Sequence, residues 1–435
     1  MEYKLSNEFI IKYQIDELSV IFAILATVMY VLMAIYQKGY FKHDKHNLSY
    51  NVFFVLSYFA IISEFFAASL ITMYISFELV TLTTVMFVFH DRNKDSRRGA
   101  FRNLYFSLAG AFTALAGVFI LYATLGNDIS FAAGGSIGMQ DLSEYRKLFL
   151  VVAFLMIMGF GVKAAIFPYH AWLPAAHPVA PAPGSAALSG IVVKCGAFAI
   201  IRTVFYVFGA DFIRGTWVQT VWMILAVVTI FLGSMLAYKE KIFKKRLAYS
   251  TISQMNYIMF GLSLLNISGI VGALTHVVLH SMVKINLFLV SGVIIHQTGK
   301  KLVSEYDGIG KKMPVTIACY TLASVTLVGI PPAGTFLSKW YICEGALAAD
   351  YNGTLAFAGI IVLMISALLT AGYLFPVFIR GYFPRAKYAE KEYEKCEASP
   401  WMVVPIVILT ILIVILGVFP GLLTDELSSF VTSIL

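Results

Sequence analysis

The chain is 435 residues long, with 59% hydrophobic and only 13% charged residues, whereas soluble domains carry about 25% charged and about 45–50% apolar residues. That balance excludes an ordinary globular protein. The long apolar runs lack strict alternation, which excludes a β-barrel and predicts a polytopic all-α membrane helix bundle, because backbone polar groups in lipid must be satisfied within each helix. The formal net charge of +8 is explained by the distribution of loop cations and requires no nucleic-acid partner.

In chain order, Met1 to Glu17 mixes acids and bases before an apolar stretch too long for a signal sequence, and reads as a short tail. Twelve spans are then predicted at 17–37, 51–67, 69–89, 101–123, 147–168, 185–208, 218–238, 247–265, 270–296, 313–345, 354–380 and 400–423. The stretch from Asn51 to His90 has no charged loop. A single helix of that length would be roughly twice the bilayer thickness, so it is read as two helices turning near Ala67. Four cysteines, Cys195, Cys319, Cys343 and Cys396, stand alone. No metal site, disulfide framework or bound cofactor is expected from them.

Loop charge orients the bundle. Loops after odd-numbered spans hold the cation clusters Lys38, Lys42, Lys45; Arg92, Lys94, Arg97, Arg98, Arg102; Lys239, Lys241, Lys244, Lys245, Arg246; Lys300, Lys301, Lys311, Lys312; and Arg380, Arg385, Lys387, Lys391, Lys395. Loops after even-numbered spans hold Arg146, Lys147 and Arg214, and the tail adds Lys4 and Lys12. The positive-inside rule places the first set in the cytoplasm and both termini outside a cell (cytoplasmic) membrane.

Five cations remain inside predicted spans: Lys163, Lys194, Arg202, Lys284 and Lys339. Glu78 lies mid-span and Glu64 near a span end, where interfacial and functional readings are balanced. His276, His280 and Lys284 follow at i, i+4 and i+8, on one helix face. A cation at the bilayer centre costs about 2.5–3.5 kcal/mol on insertion scales, so each needs a polar interior or a partner. Burial disfavours a charged lysine and a neighbouring carboxylate favours it; a lysine held between the two can take and release a proton. Histidine titrates near neutrality without much tuning. Arg202, near the outer end of its span, is expected to snorkel to the interface. For the other lysines, structural ion pairing is the bland alternative, but one or two carboxylates cannot satisfy them all. Haem or metal ligation by His276 and His280 lacks a second ligand cluster.

Two spans are interrupted by proline beside a lysine. Lys163 precedes Phe167-Pro168-Tyr169, and Gly329-Ile330-Pro331-Pro332 precedes Lys339. Proline frees backbone carbonyls, which is tolerated at membrane depth only against protein or water. Matching interruptions in two halves are a mark of inverted repeats. The expected units are 1–50 (tail and first helix), 51–208 (first five-helix repeat), 218–380 (second, inverted repeat) and 400–435 (C-terminal helix).

The stretch GVKAAIFPYHAWLPAAHPVAPAPGSAALSGIVVKCGAFAIIR resembles the signature of the antiporter-like subunits of respiratory complex I. That family includes large subunits of multisubunit sodium/proton antiporters and of membrane-bound hydrogenases. KKRLAYSTISQMNYI, THVVLHSMVKINLFLVSG and PPAGTFLSKW resemble three further blocks. The resemblance implies that Glu78 and Lys163 form a modulating pair and that Lys194 is a connecting lysine. His276, His280 and Lys284 would belong to a central hydrophilic axis, with Lys339 the terminal lysine. Family members commonly have fourteen helices and a long lateral helix; this chain is expected to lack counterparts of the first two helices and of the lateral helix.

The expected function is a proton- or sodium-translocating, antiporter-like subunit of a redox-driven complex. Its partners would be other membrane subunits, related antiporter-like subunits among them. The chain carries no flavin, nicotinamide or cluster motif, so electron transfer is expected in partner subunits. The alternatives are a subunit of a multisubunit cation/proton antiporter without redox activity, a cytochrome-like membrane enzyme, and a structural subunit with an inactive pathway.

Overall fold

Apolar sequence and helix caps together set where each helix begins and ends. In the computed structural model, which describes residues 2–4, 10–126, 129–137, 145–385 and 394–435, the main helices are α1 (Glu17–Tyr40), α2 (Asn47–Phe65), α3 (Leu70–Phe89), α4 (Lys94–Leu125) and α5 (Arg146–Gly161). They continue with α6 (Ala182–Phe208, with two π-helical stretches), α7 (Trp217–Lys239), α8 (Phe243–Ser263), α9 (Ile267–Thr298), α10 (Pro314–Val328) and α11 (Gly334–Leu347). The last three are α12 (Gly353–Tyr382), α13 (Pro400–Val418) and α14 (Gly421–Ile434). Side chains of Asp16, Ser69, Asn93 and Asn266 accept from the first-turn amides of α1, α3, α4 and α9, satisfying donors that have no partner within the helix. Gly126, Gly299 and Gly329 close α4, α9 and α10 in the left-handed conformation that glycine adopts without strain.

Nine helices among the described residues are long and apolar enough to cross a membrane. The apolar window of α6 is wholly buried and that of α9 is 94% buried, against 28% for α12. The helix that carries Lys194 and the one that carries His276, His280 and Lys284 therefore form the middle of the bundle. Large apolar side chains such as Phe59, Phe112, Phe119 and Leu368 face outward on α2, α4 and α12, as a lipid-facing surface requires.

Residues 51–90 form two helices, with the turn between Phe65 and Leu70, as the length argument requires. Several expectations need correction. Within the tail before α1, β1 (Glu2–Lys4) and β2 (Ile10–Lys12) pair antiparallel. The chain then runs along the α2–α3 turn, with Gln14 N donating to Phe66 O and Ala68 N to Lys12 O. The span expected at 147–168 ends as a helix at Gly161, seven residues before Pro168, so Lys163 sits in a non-helical turn. The span expected at 313–345 is two half-helices, α10 and α11, split around Pro331 and Pro332. The span expected at 400–423 stops at Val418, and α14 follows as a separate helix packed on α9. Lys387 and Lys391 lie outside the described residues.

Candidate functional site

The broken segments explain how basic side chains are held at the centre of an apolar bundle. After α5 ends, Trp172 Nε1 donates to Val162 O at 2.9 Å and Phe167 N donates to Thr229 Oγ1 at 3.0 Å. The polar groups released by the break are thus bonded to protein. Gly196 of α6 lies against this turn: a Cβ there would stand 2.7 Å from Ala164 N and 2.9 Å from Lys163 Cβ, so glycine is what lets α6 approach the lysine. Lys163, 2% exposed, points at α3. Its Nζ donates to Phe77 O at 2.5 Å and Thr81 Oγ1 at 2.8 Å, over the Phe77 ring. Glu64 and Glu78 both interact electrostatically with it, yet neither is within the 4.0 Å of an ion pair among the described contacts. Both Glu64 carboxylate oxygens and Glu78 Oε1 are buried, and the Cys195 thiol lies beside the Glu64 carboxylate.

The second cluster centres on α6, α8 and α9. Lys194 Nζ donates to Ser189 O at 2.9 Å, a carbonyl in the π-helical stretch, and lies 2.8 Å from His280 Nδ1. A proton can be shared across that distance between amine and imidazole. The rings of His280 and His276 stack with centroids 5.7 Å apart, and His276 stacks on Tyr257 at 5.6 Å. His276 also meets Ser338 Oγ at 2.9 Å and Gln254 Oε1 at 3.1 Å. One helical turn beyond His280, Lys284 Nζ donates to Ser250 Oγ at 2.6 Å and Leu247 O at 3.2 Å. Ser250 in turn meets the Tyr373 hydroxyl at 2.7 Å.

Lys339 closes this row at the second break. Its Nζ donates to Leu327 O and Val328 O, each at 2.8 Å, and lies 5.4 Å from the Tyr257 ring. These are the terminal carbonyls of α10, left without helical donors where the chain breaks. A cation there also meets the negative end of the helix dipole. The structure thus gathers Lys194, His280, His276, Tyr257 and Lys339 into one row with Lys284 beside it, and sets Lys163 with Glu64 and Glu78 apart from that row. Pro168, Pro331 and Pro332 flank the lysines without contacting them through a hydrogen bond.

Sequence reasoning misplaces three residues. Arg202 does not snorkel to lipid: it is 1% exposed, paired with Asp16 at 2.7 Å and bonded to Ser19 Oγ. Burial works against the charge of Asp16, but Arg202 outweighs it and holds the carboxyl below the usual range. Lys244 and Arg246, counted as loop cations, are buried in the first turn of α8, where they donate to Ala180 O and to Glu240 O and Tyr373 O.

Three further residues stand out. Glu64 is fully buried; its signal is that it and Glu78 are the two acids in a 40-residue apolar stretch. His177 is fully buried with both ring nitrogens unpartnered, stacked on Phe288 at 4.7 Å, and its loop context gives no warning. Lys244 borders a cavity of about 180 Å³ also lined by Asp44, His90 and Asp91. Asp44 bonds His90 Nε2 at 3.0 Å. Burial opposes the charge of Asp44, but His90 outweighs it and keeps the carboxyl below its ordinary value. Among the described residues no group of three or more His, Cys, Asp or Glu could hold a metal ion.

Comparison with known proteins adds the family context. The sequence profile described as "NADH:quinone oxidoreductase/Mrp antiporter, TM" matches residues 67–370. The chain is 32% identical over 390 residues to NADH-quinone oxidoreductase subunit N of Desulforudis audaxviator, covering 85% of this chain and 74% of that one. It is 30% identical over 434 residues to an Na(+)/H(+) antiporter subunit from Alkalihalophilus pseudofirmus, covering 94% of this chain but only 52% of the relative. Its fold matches a chain in the structure of the membrane-bound sulfane sulfur reductase, an archaeal respiratory membrane complex, with a TM-score of 0.86, 21% identity and coverage of 98% and 83%.

Proposed function

We propose that this chain, which belongs to the NADH:quinone oxidoreductase/Mrp antiporter membrane family, is an ion-translocating, antiporter-like subunit of a redox-driven complex. The observation that carries this reading is the buried row from Lys194 through His280, His276 and Tyr257 to Lys339. Groups able to carry a proton follow one another there within hydrogen-bond or ring-contact distance. The chemistry is proton transfer between amines and imidazoles bridged by hydroxyls and water. Lys163 acts as the modulator: when its charge moves toward Glu64 or Glu78, the field it exerts on α6 changes, and with it the ease of protonating Lys194.

The basic-loop face is assigned to the cytoplasm of a cell membrane, with both termini on the opposite side. Supply from the cytoplasm runs through the cavity at Asp44, His90 and Asp91 to Lys244. Lys244 contacts the carbonyl of Ala180, three residues after His177, and His177 interacts electrostatically with both Lys244 and Lys284. Residues 51–208 and 218–380 are assigned as inverted repeats, each with its fourth element broken. The partners are other membrane subunits, and redox chemistry resides in them. A second reading, as part of a cation/proton antiporter without redox activity, is favoured by the match of nearly the whole chain to an Na(+)/H(+) antiporter subunit.

The test is proton uptake by the intact assembly in proteoliposomes. Lys163→Ala is expected to reduce uptake by about 100-fold, roughly 2.7 kcal/mol of lost electrostatic coupling between this modulator and α6. Unchanged uptake in a fully assembled complex would instead identify a structural subunit. Purifying the assembly with its partners separates the two readings, since redox subunits belong to the first alone.

A further inference from the structure

Several cations at the basic-loop end of the bundle are engaged by acids, carbonyls or rings. Lys245 pairs with Glu240, and Arg380 and Arg385 pair with Asp307. Lys244 and Lys300 donate to carbonyls, and Lys38 lies over Trp401. The start of α4 is distinguished by clustering cations with aromatic rings along one groove. Lys94, Arg97, Arg98 and Arg102 are all exposed, and no ion pair joins any of them to an acid among the described residues. With Phe101 and Tyr105 they line an open groove of about 540 Å³ along one helix face. Phe101 is 43% and Tyr105 68% exposed, and Arg97 lies 5.6 Å from the Phe101 ring. The opposite face, Ser96, Gly99, Ala100 and Asn103, is buried, with Gly99 tight against Val179 and Ala175. The charged face is therefore turned away from the bundle.

Helix length sets its depth. α4 has 32 residues, about 48 Å at 1.5 Å per residue, against a hydrocarbon core of about 30 Å. The excess is about three turns. Because the C-terminal part of α4 is the apolar one, the excess falls on the turns from Lys94 to Tyr105. The cations then stand at headgroup level and the two aromatic rings at the headgroup–acyl boundary, where such rings concentrate. Guanidinium forks match phosphate oxygens in geometry as well as charge.

We propose that this groove is a binding site for an anionic phospholipid, its phosphodiester held by Arg97, Arg98 and Arg102 and its acyl chains running down over Phe101 and Tyr105. The exposed Asp95 on the flank limits how much negative charge the site accepts. An acidic segment of a neighbouring subunit is the competing occupant. It is disfavoured because the groove continues directly into the lipid-facing apolar surface of α4 at Phe112 and Phe119.

The test uses the full chain within its detergent-purified assembly, delipidated and titrated with dioleoyl phosphatidylglycerol or dioleoyl phosphatidylcholine, with retained lipid counted by native mass spectrometry. Phosphatidylglycerol should be retained selectively. The triple variant Arg97→Gln/Arg98→Gln/Arg102→Gln should weaken that retention by at least about tenfold, since each basic residue near an anionic surface contributes roughly fivefold. A control with equal charge loss elsewhere, Lys42→Gln/Lys45→Gln/Lys239→Gln, should retain it. Equal retention of both lipids, or equal loss in the control, overturns the proposal. So does binding by the isolated chain that vanishes in the assembly, which assigns the groove to a partner subunit. Displacement of the lipid by inorganic phosphate at equal concentration would reduce the site to a phosphate site without a lipid component.

Discussion

Two buried lysines are held in opposite ways. Lys163 sits beside a broken helix with two carboxylates, Glu64 and Glu78, within electrostatic reach, while its hydrogen bonds go to Phe77 O and Thr81. Lys284 sits in the middle of an unbroken helix and bonds only neutral acceptors, Ser250 Oγ and Leu247 O. The first arrangement keeps acids close but outside ion-pair distance, so the attraction between lysine and carboxylate can vary with small movements. The second supplies fixed dipoles and no compensating charge. A pathway needs both: one site where charge separation can switch, and one where a proton can be held briefly and passed on.

Several measurements break or sharpen this contrast, beginning with the largest effect. Lys284→Met should reduce proton uptake by the assembly about as severely as Lys163→Ala, on the order of 100-fold; uptake within about twofold of the parent would remove Lys284 from the route. Next, Glu64→Gln and Glu78→Gln should each slow uptake by about tenfold. Combined, they should be non-additive by about 1 kcal/mol or more, as expected for groups acting on one partner. Strict additivity would mean that the two acids do not share Lys163. A smaller effect is expected for Ser250→Ala, which removes the short acceptor of Lys284: about fivefold, the worth of one ordinary net hydrogen bond of about 1 kcal/mol. Thr81→Val should do the same at Lys163, and a large difference between these two variants would show which lysine depends more on its hydroxyl.

The smallest effect lies outside the spans. Asp307 meets Arg385 at 2.7 Å and Arg380 at 3.8 Å. Burial raises its carboxyl, but Arg385 outweighs this and holds it below the usual carboxylate range. A depressed folded value stabilises above the unfolded value of about 3.9 and loses that contribution as pH falls through the folded value. Asp307→Asn should therefore cost about 1 kcal/mol at pH 7, limited by the exposed, solvent-screened arginine, and progressively less as pH falls through the folded value. A thermal-shift series across that range checks the sign.

Much of the site is legible in the sequence because charge inside apolar segments is conspicuous. Lys163, Lys194, Lys284, Lys339 and Glu78 stand out as ionisable residues where lipid forbids them, and the i, i+4, i+8 spacing places His276, His280 and Lys284 on one face. Glu64 is ambiguous because a residue near a helix end has the same sequence signature whether it faces water or protein. Lys244 reads as a loop cation for the same reason, and His177 lies in a proline-rich stretch whose burial no periodicity reports. Arg202 reads as snorkelling to the interface because its partner, Asp16, is 186 positions away.

The sequence by itself determined that this chain is a helical membrane bundle, roughly where it crosses, and which side chains are too costly to bury without a purpose. Those follow from transfer free energies and helix periodicity, which are local properties of the chain. Only the tertiary structure decided who meets whom: Lys194 with His280, Lys339 with the carbonyls that end α10, and Lys163 with Thr81 near, but not paired with, Glu64 and Glu78. Such pairings depend on where a break releases carbonyls and where a glycine such as Gly196 lets two backbones close, and both are set by packing between segments far apart in sequence.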